Sequence, residues 1–214
     1  MVKFTGVLSY GRLILSIAKT GETMGFGKLF VISAPSGSGK TSLVRELLKK
    51  PDGYLLRRTI TYTTRPPREG EIDGDHYHFI SVEEFKDKIE KNYFIEWSTW
   101  YDHYYGSPAS ALQGIQEGYS YIMVLDRLGA KEVAQACPQQ TVLIWIEPPS
   151  LKELECRLLG RGDGITLVQN RLRKAAIEIQ QEKDECFYKY HIINDDLSVA
   201  VLQVQSLIKK ELGV

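Results

Sequence analysis

Leu29-Phe30-Val31-Ile32-Ser33-Ala34-Pro35-Ser36-Gly37-Ser38-Gly39-Lys40-Thr41-Ser42 is an apolar run that breaks into a glycine-rich turn and ends in Gly-Lys-Thr. This is the pattern of a phosphate cradle on an α/β scaffold. Backbone N–H groups can close on phosphate oxygens only where no Cβ intrudes, and Gly37 and Gly39 supply such positions. A helix starting near Gly39 adds its positive N-terminal dipole, Lys40 would reach the β- and γ-phosphates, and the Thr41 hydroxyl would bind Mg²⁺. Leu43, Val44, Leu47 and Leu48 recur at helical spacing, so the helix is expected to bury one face. The strict motif asks for glycine where Ala34 stands. That first position is the only departure.

Length and charge fit one enzyme-sized α/β unit. At 214 residues the chain can bury a sizeable core. Its 27 basic and 27 acidic residues cancel, so no global field draws it to nucleic acid or to an acidic membrane. Cys137, Cys156 and Cys186 are far apart and odd in number, which suits reduced packing residues in a cytoplasmic protein rather than a disulfide framework. No stretch reaches the roughly 20 apolar residues that a bilayer span needs. Residues 1–20 carry Lys3, Arg12 and Lys19 without an acid, around Leu13, Ile14, Leu15 and Ile17, and loosely resemble a transit peptide. Met24 offers the plainer alternative of a dispensable tail or a later start, so residues 1–27 are expected to form a disordered extension.

Downstream, strands and helices alternate, which predicts a parallel sheet covered by helices. The stretches 119–125, 141–146 and 191–193 are rich in β-branched and aromatic residues and are expected as core strands. Ser81-Val82-Glu83-Glu84 and Ser150-Leu151-Lys152-Glu153 match the capping box, predicting helices over about 82–91 and 151–160. Segments 167–186 and 197–212 complete the helical set. Between the first helix and residue 107 the composition shifts to aromatics and hydroxyls among charges. Arg57, Arg58, Arg65 and Arg68 crowd together there, followed by Glu69, Glu71, Asp73 and Asp75. Arginine's planar fork suits phosphate, although a solvated turn of mixed charge would read the same way.

Thr63-Thr64-Arg65-Pro66-Pro67-Arg68-Glu69-Gly70-Glu71, Tyr77-His78-Phe79, Phe94-Ile95-Glu96-Trp97 and Tyr104-Tyr105-Gly106-Ser107, in this order and spacing, resemble the guanylate kinase pattern. Glu147-Pro148-Pro149-Ser150, Arg161-Gly162 and Ile193-Asn194-Asp195-Asp196 extend the resemblance from about residue 28 to the C-terminus. It implies a P-loop nucleoside monophosphate kinase fold, with a parallel core sheet flanked by helices, an inserted GMP-binding module over about 57–107 and a lid over about 157–171. The implied activity is phosphoryl transfer from ATP to GMP with Mg²⁺; the chain is expected to be a monomer or weak homo-oligomer. Alanine at Ala34 is acceptable within the family.

Residue by residue, the resemblance implies that Ala34, Pro35, Ser36, Gly37, Ser38, Gly39, Lys40, Thr41 and Ser42 cradle ATP, with Asn194 near adenine. Lys40, Arg157, Arg161 and Arg171 are the implied cations around the transferred group. Arg65, Arg68, Tyr77 and Tyr105 are expected on the GMP phosphate, and Thr61, Glu96, Ser107 and Asp126 on guanine. Glu71 is expected to orient Arg68 or the base. His76, His78, His103 and His191 are read as structural or surface residues, because phosphoryl transfer works by positioning and charge stabilisation. The chain departs from the family at Val124-Leu125-Asp126-Arg127-Leu128-Gly129, where Asp-Ile-Asp-x-Gln-Gly is usual, and its lid segment is one residue shorter. Two rivals, a kinase of another phosphorylated small molecule and a binding module without catalysis, are opposed by Glu96, Ser107 and Asp126 together and by the intact Gly39-Lys40-Thr41.

Overall fold

The computed structural model describes residues 27–49, 56–100, 102–160 and 164–214. The extension expected over 1–27 lies outside them but for Gly27. Its first strand, β1 (Leu29–Ser33), is buried at every position, as an apolar run covered on both faces must be. Helix α1 (Lys40–Leu48) follows the loop and buries Leu43, Val44 and Leu47. Leu48, expected on that face, is instead half-exposed. Strands β2 (Leu56–Arg58), β3 (Tyr62–Thr63) and β4 (His78–Phe79) lead to α2 (Val82–Glu90). A hairpin of β5 (Phe94–Trp100) and β6 (His103–Pro108) precedes α3 (Ser110–Gln116), β7 (Ser120–Val124) and α4 (Arg127–Ala136). The chain ends with β8 (Thr141–Glu147), α5 (Leu151–Leu159), α6 (Ile165–Glu185), β9 (Tyr190–Ile193) and α7 (Leu197–Leu212).

The serine half of each capping box forms: Glu84 N–H donates to Ser81 Oγ at 3.1 Å and Glu153 N–H to Ser150 Oγ at 3.0 Å. Each satisfies a first-turn donor that would otherwise lack a partner.

Five strands form one sheet in the order β2-β7-β1-β8-β9, with β2 parallel to β7 and β8 parallel to β9. With β1 at the centre, its carboxyl end opens where chain connections diverge, the place where open α/β sheets bind ligands. A second sheet runs β4-β3-β6-β5. Here β5 and β6 pair antiparallel, with a register shift between Phe94 and Glu96. Arg57 and Arg58 stand in β2 of the first sheet, so the second sheet starts only at Tyr62.

By contacts the chain divides into two compact units. One holds 56–123 and 128–141, with the second sheet; the other holds 30–49, 124–127 and 142–214, with the glycine-rich loop. Within the latter, Leu154 and Leu158 of α5 pack against Val168, Leu172 and Ala175 of α6. In the former, Phe85 stacks between Phe94 and Tyr104, with ring centroids at 4.5 and 5.2 Å. Of the three cysteines, read from sequence as packing residues, Cys137 is buried while Cys156 and Cys186 are exposed. Burial pushes the Cys137 thiol up to about 11.

Candidate active site

The loop after β1 adopts the conformation its glycines predict. Gly37 and Gly39 have φ of 94° and 91°, in the left-handed region that side chains rarely adopt. Space demands glycine as well: a Cβ on Gly37 would lie 2.8 Å from Leu154 Cδ1, and one on Gly39 would lie 2.4 Å from Asn194 Nδ2. Ala34 is not among the residues of positive φ, so alanine serves there. Gly39 caps α1 with no side chain, and the first turn of α1 carries no acid, which leaves its N–H groups and dipole to an anion. Lys40 Nζ lies 2.5 Å from the Ala34 carbonyl and 3.4 Å from that of Pro35, so the ammonium is held over the loop. The buried Ser38 hydroxyl has no hydrogen-bond partner among the described residues.

Asn194, 4% exposed, closes the loop from behind, donating from Nδ2 to the Ser38 carbonyl at 2.7 Å. Arg157 donates to the Asn194 carbonyl at 3.0 Å and to Glu153 at 2.9 Å, so this arginine stands beside the Asn194 loop. Arg161 lies outside the described residues. Arg171 projects from the first half of α6. Val124 contributes no carboxylate at the end of β7. Asp126, two residues on, is exposed. Glu178 of α6 is largely buried; burial raises its carboxyl pKa, against the lowering fields of Lys174 and Lys40. Among the described residues no three His, Cys, Asp or Glu side chains are grouped to hold a metal. The Thr41 hydroxyl is exposed on the first turn of α1, an oxygen donor that could take one place on a Mg²⁺ ion otherwise held by waters and substrate phosphates.

The unit with the second sheet carries the arginine cluster. Glu71 accepts from the Arg65 guanidinium with both oxygens at 2.9 Å and from the Arg68 amide at 2.7 Å. Its side chain thus orients Arg65, and touches Arg68 only through the backbone. Arg65 also lies 5.5 Å from the Tyr77 ring centroid, and Tyr77 meets Tyr105 edge-on at 6.2 Å. Burial, then the Tyr105 phenol, raises the Tyr77 pKa and keeps it a donor. Arg57 instead covers the Tyr119 ring and Arg58 donates to the Asp75 and His76 carbonyls, so both serve packing. On the β5–β6 hairpin, Glu96 faces Ser107 across the register. Glu96 is 5% exposed and Ser107 1%, and the Ser107 hydroxyl has no hydrogen-bond partner among the described residues. A buried hydroxyl without a partner is a group in want of a ligand. Thr61 is half-buried just before β3.

Burial raises the Glu71 carboxyl pKa, but the Arg68 amide and the Arg65 guanidinium outweigh it and hold the group below its ordinary value. A depressed folded-state pKa stabilises above the unfolded value and is lost as pH falls through the folded one. Glu71→Gln should therefore lower Tm by about 2–4 °C at neutral pH, the shift expected for about 1 kcal/mol in a chain of this size. The gap to the parent should close as the buffer drops below the carboxylate range in thermal melts. A gap independent of pH would mean that the charge of Glu71 contributes nothing.

A family model described as guanylate kinase matches residues 26–211, nearly the whole described chain. The chain belongs to the guanylate kinase family. Its relatives include guanylate kinases of Clostridioides difficile (strain 630), 38% identical over 86% of this chain and 88% of the relative, and of Neisseria meningitidis serogroup A, 44% identical over 81% and 83%. A crystal structure of guanylate kinase from Anaplasma phagocytophilum superposes with a TM-score of 0.72 at 26% identity, covering 87% of each chain. The P-loop monophosphate kinase fold expected from sequence is the one observed.

Relative to the guanylate kinase pattern, sequence reasoning missed one constellation. Arg127, at the position the motif leaves open, is 8% exposed and paired to Glu182, itself 1% exposed. Nothing local announces such a pair across 55 residues of chain. Of the histidines, His76 accepts from the Ile72 amide and His78 packs on Tyr62. His191 stands between Glu147 at 3.1 Å and Glu182 at 3.3 Å.

Proposed function

We infer that this chain transfers the γ-phosphoryl group of ATP to GMP, giving ADP and GDP. Family membership supplies the reaction class, and the buried Glu96 opposite the partnerless Ser107 hydroxyl carries the choice of base. Guanine presents N1–H and an exocyclic amine side by side, which a carboxylate accepts together. Thr61 and Asp126 complete the proposed base contacts, and Arg65, Arg68, Tyr77 and Tyr105 the monophosphate contacts, with Glu71 orienting Arg65. In the reaction an oxygen of the GMP phosphate attacks the γ-phosphorus as its bond to the ADP oxygen breaks. The loop from Ala34 to Ser42 holds the donor phosphates, with Asn194 on the adenine side. Lys40, Arg157, Arg161 and Arg171 supply the positive charge that such a transition state needs. Thr41 would hold Mg²⁺, whose charge would offset that of the phosphates.

We assign residues 1–27 to an extension, 57–107 to the GMP-binding module and 157–171 to the lid. No described helix is long and apolar enough to cross a membrane. We assign the chain to the cytoplasm as a monomer or weak homo-oligomer with ATP and GMP as its partners; its balanced charge offers nucleic acid and acidic membrane no general attraction.

ADP formation measured with ATP and Mg²⁺ against GMP, AMP, CMP and UMP tests the reading; turnover with GMP alone is expected, and preference for another acceptor would overturn it. Within that assay, Arg65→Ala and Arg68→Ala should each raise KM for GMP at least about tenfold, the loss of a charge-assisted hydrogen bond, and KM for ATP less than about twofold. Equal damage to both constants would remove these arginines from the GMP phosphate.

A further inference from the structure

Arg127 opens α4 directly after Asp126, and its guanidinium reaches the far end of α6. It pairs with Glu182, lies 3.1 Å from Glu185 and 3.4 Å from the Gln181 carbonyl. Glu182 in turn accepts the Tyr188 amide at 2.9 Å and faces His191. Arg127 Nε is buried with no hydrogen-bond partner among the described residues, so the arrangement is not optimised for hydrogen bonding alone. Stability does not explain it either, because a buried ion pair is commonly no better than apolar residues of the same volume.

Geometry does. Val168, Leu172 and Ala175 meet α5 through apolar side chains alone, a non-directional contact that specifies the spacing of α6 more than its position along its axis. A planar fork that takes two carboxylates one turn apart fixes the axial position. Arg171 stands eleven residues before Glu182 on the same helix, about 16 Å away and on the same face at 1.5 Å and 100° per residue. The side chains of α5 that touch α6, Leu154 and Leu158, are also those that fill the space at Gly37 of the loop. We propose that Arg127 is a positioning residue: through Glu182 and Glu185 it fixes the axial register of α6 and so places Arg171 for phosphoryl transfer. The inference rests on the reading of Arg171 as a cation at the transferred group.

The test compares four variants in the full chain: Glu185→Gln, Arg127→Met with Glu182→Gln, Arg127→Lys, and Arg171→Ala. Glu185 is the exposed arm of the fork, so its neutral variant keeps the fold; kcat should fall about 3-fold or more with Tm unchanged. The double variant leaves no buried unpaired charge and keeps an acceptor for the Tyr188 amide. It should melt within a few degrees of the parent yet lose at least about tenfold in kcat, with both KM values within about twofold, because ångström displacements of a positioned group carry penalties of that order. Arg127→Lys, a point charge without a fork, should restore less than half of the parent kcat. Parental kcat in Glu185→Gln or in the double variant, while Arg171→Ala is impaired, would overturn the positioning role and leave it structural. Parental kcat in Arg171→Ala would instead remove the lid reading on which the role depends.

Discussion

Lys40→Ala should lower kcat by at least about 10²-fold while leaving the circular dichroism spectrum and Tm close to those of the parent. The ammonium lies over the loop carbonyls of Ala34 and Pro35, at the first residue of α1, where a phosphate held by Gly37 to Gly39 would meet it. Its charge matters most when negative charge migrates toward the leaving ADP, so the loss belongs to kcat more than to KM. Removing one preorganised electrostatic group from other active sites costs about 10²–10³-fold. The fold should tolerate the change because the first residue of a helix accepts alanine readily and the core face of α1 is built from Leu43, Val44 and Leu47. Steady-state kinetics with saturating GMP decide it: a folded variant with near-parental kcat would show that this lysine does not serve the transferring phosphate.

Glu96→Gln should narrow the GMP-to-AMP ratio of kcat/KM by at least about tenfold, equivalent to roughly 1.4 kcal/mol of transition-state binding, and lose most GMP activity. Adenine offers a lone pair at N1 where guanine offers hydrogen, and it lacks the 2-amino group. A carboxylate at 5% exposure facing that lone pair gains no hydrogen bond from the base and is repelled by it. Sites built on such hydrogen bonds discriminate by about 10⁴-fold, against about 10–200-fold for shape alone. Glutamine keeps one acceptor for guanine and can turn its amide nitrogen toward adenine N1. Competition of GMP and AMP for the purified variant measures the ratio directly; an unchanged ratio would take Glu96 out of base selection.

Much of the local structure could be read from local chemistry. The left-handed φ of Gly37 and Gly39, the start of α1 at Lys40 and the capping serines Ser81 and Ser150 follow from interactions within four residues, which is the range a linear pattern encodes. Strands β1, β7 and β8 announced themselves because burial on both faces demands continuous apolar runs. The second sheet could not be foreseen in this way. Strands β3 and β4 have two residues each, too few for a periodicity, and exist because β6 and each other supply their hydrogen bonds. For the same reason Arg57 and Arg58, grouped by sequence with Arg65 and Arg68, part company in space: β2 pairs with β7 and takes them into the parallel sheet.

The sequence by itself determined the phosphate loop and its chemistry, since the backbone freedom of glycine, a single lysine and a following amphipathic helix are properties of adjacent residues. Motif order carried the family in the same way. Only the tertiary structure decided what stands behind that loop. Asn194 bonds to Ser38 across 156 positions, α5 leucines occupy the space at Gly37, Glu71 chooses the side chain of Arg65, and Arg127 finds Glu182. Each of these contacts joins groups that chain connectivity leaves independent, so their partners are fixed by packing and by the high penalty of leaving a buried polar group alone.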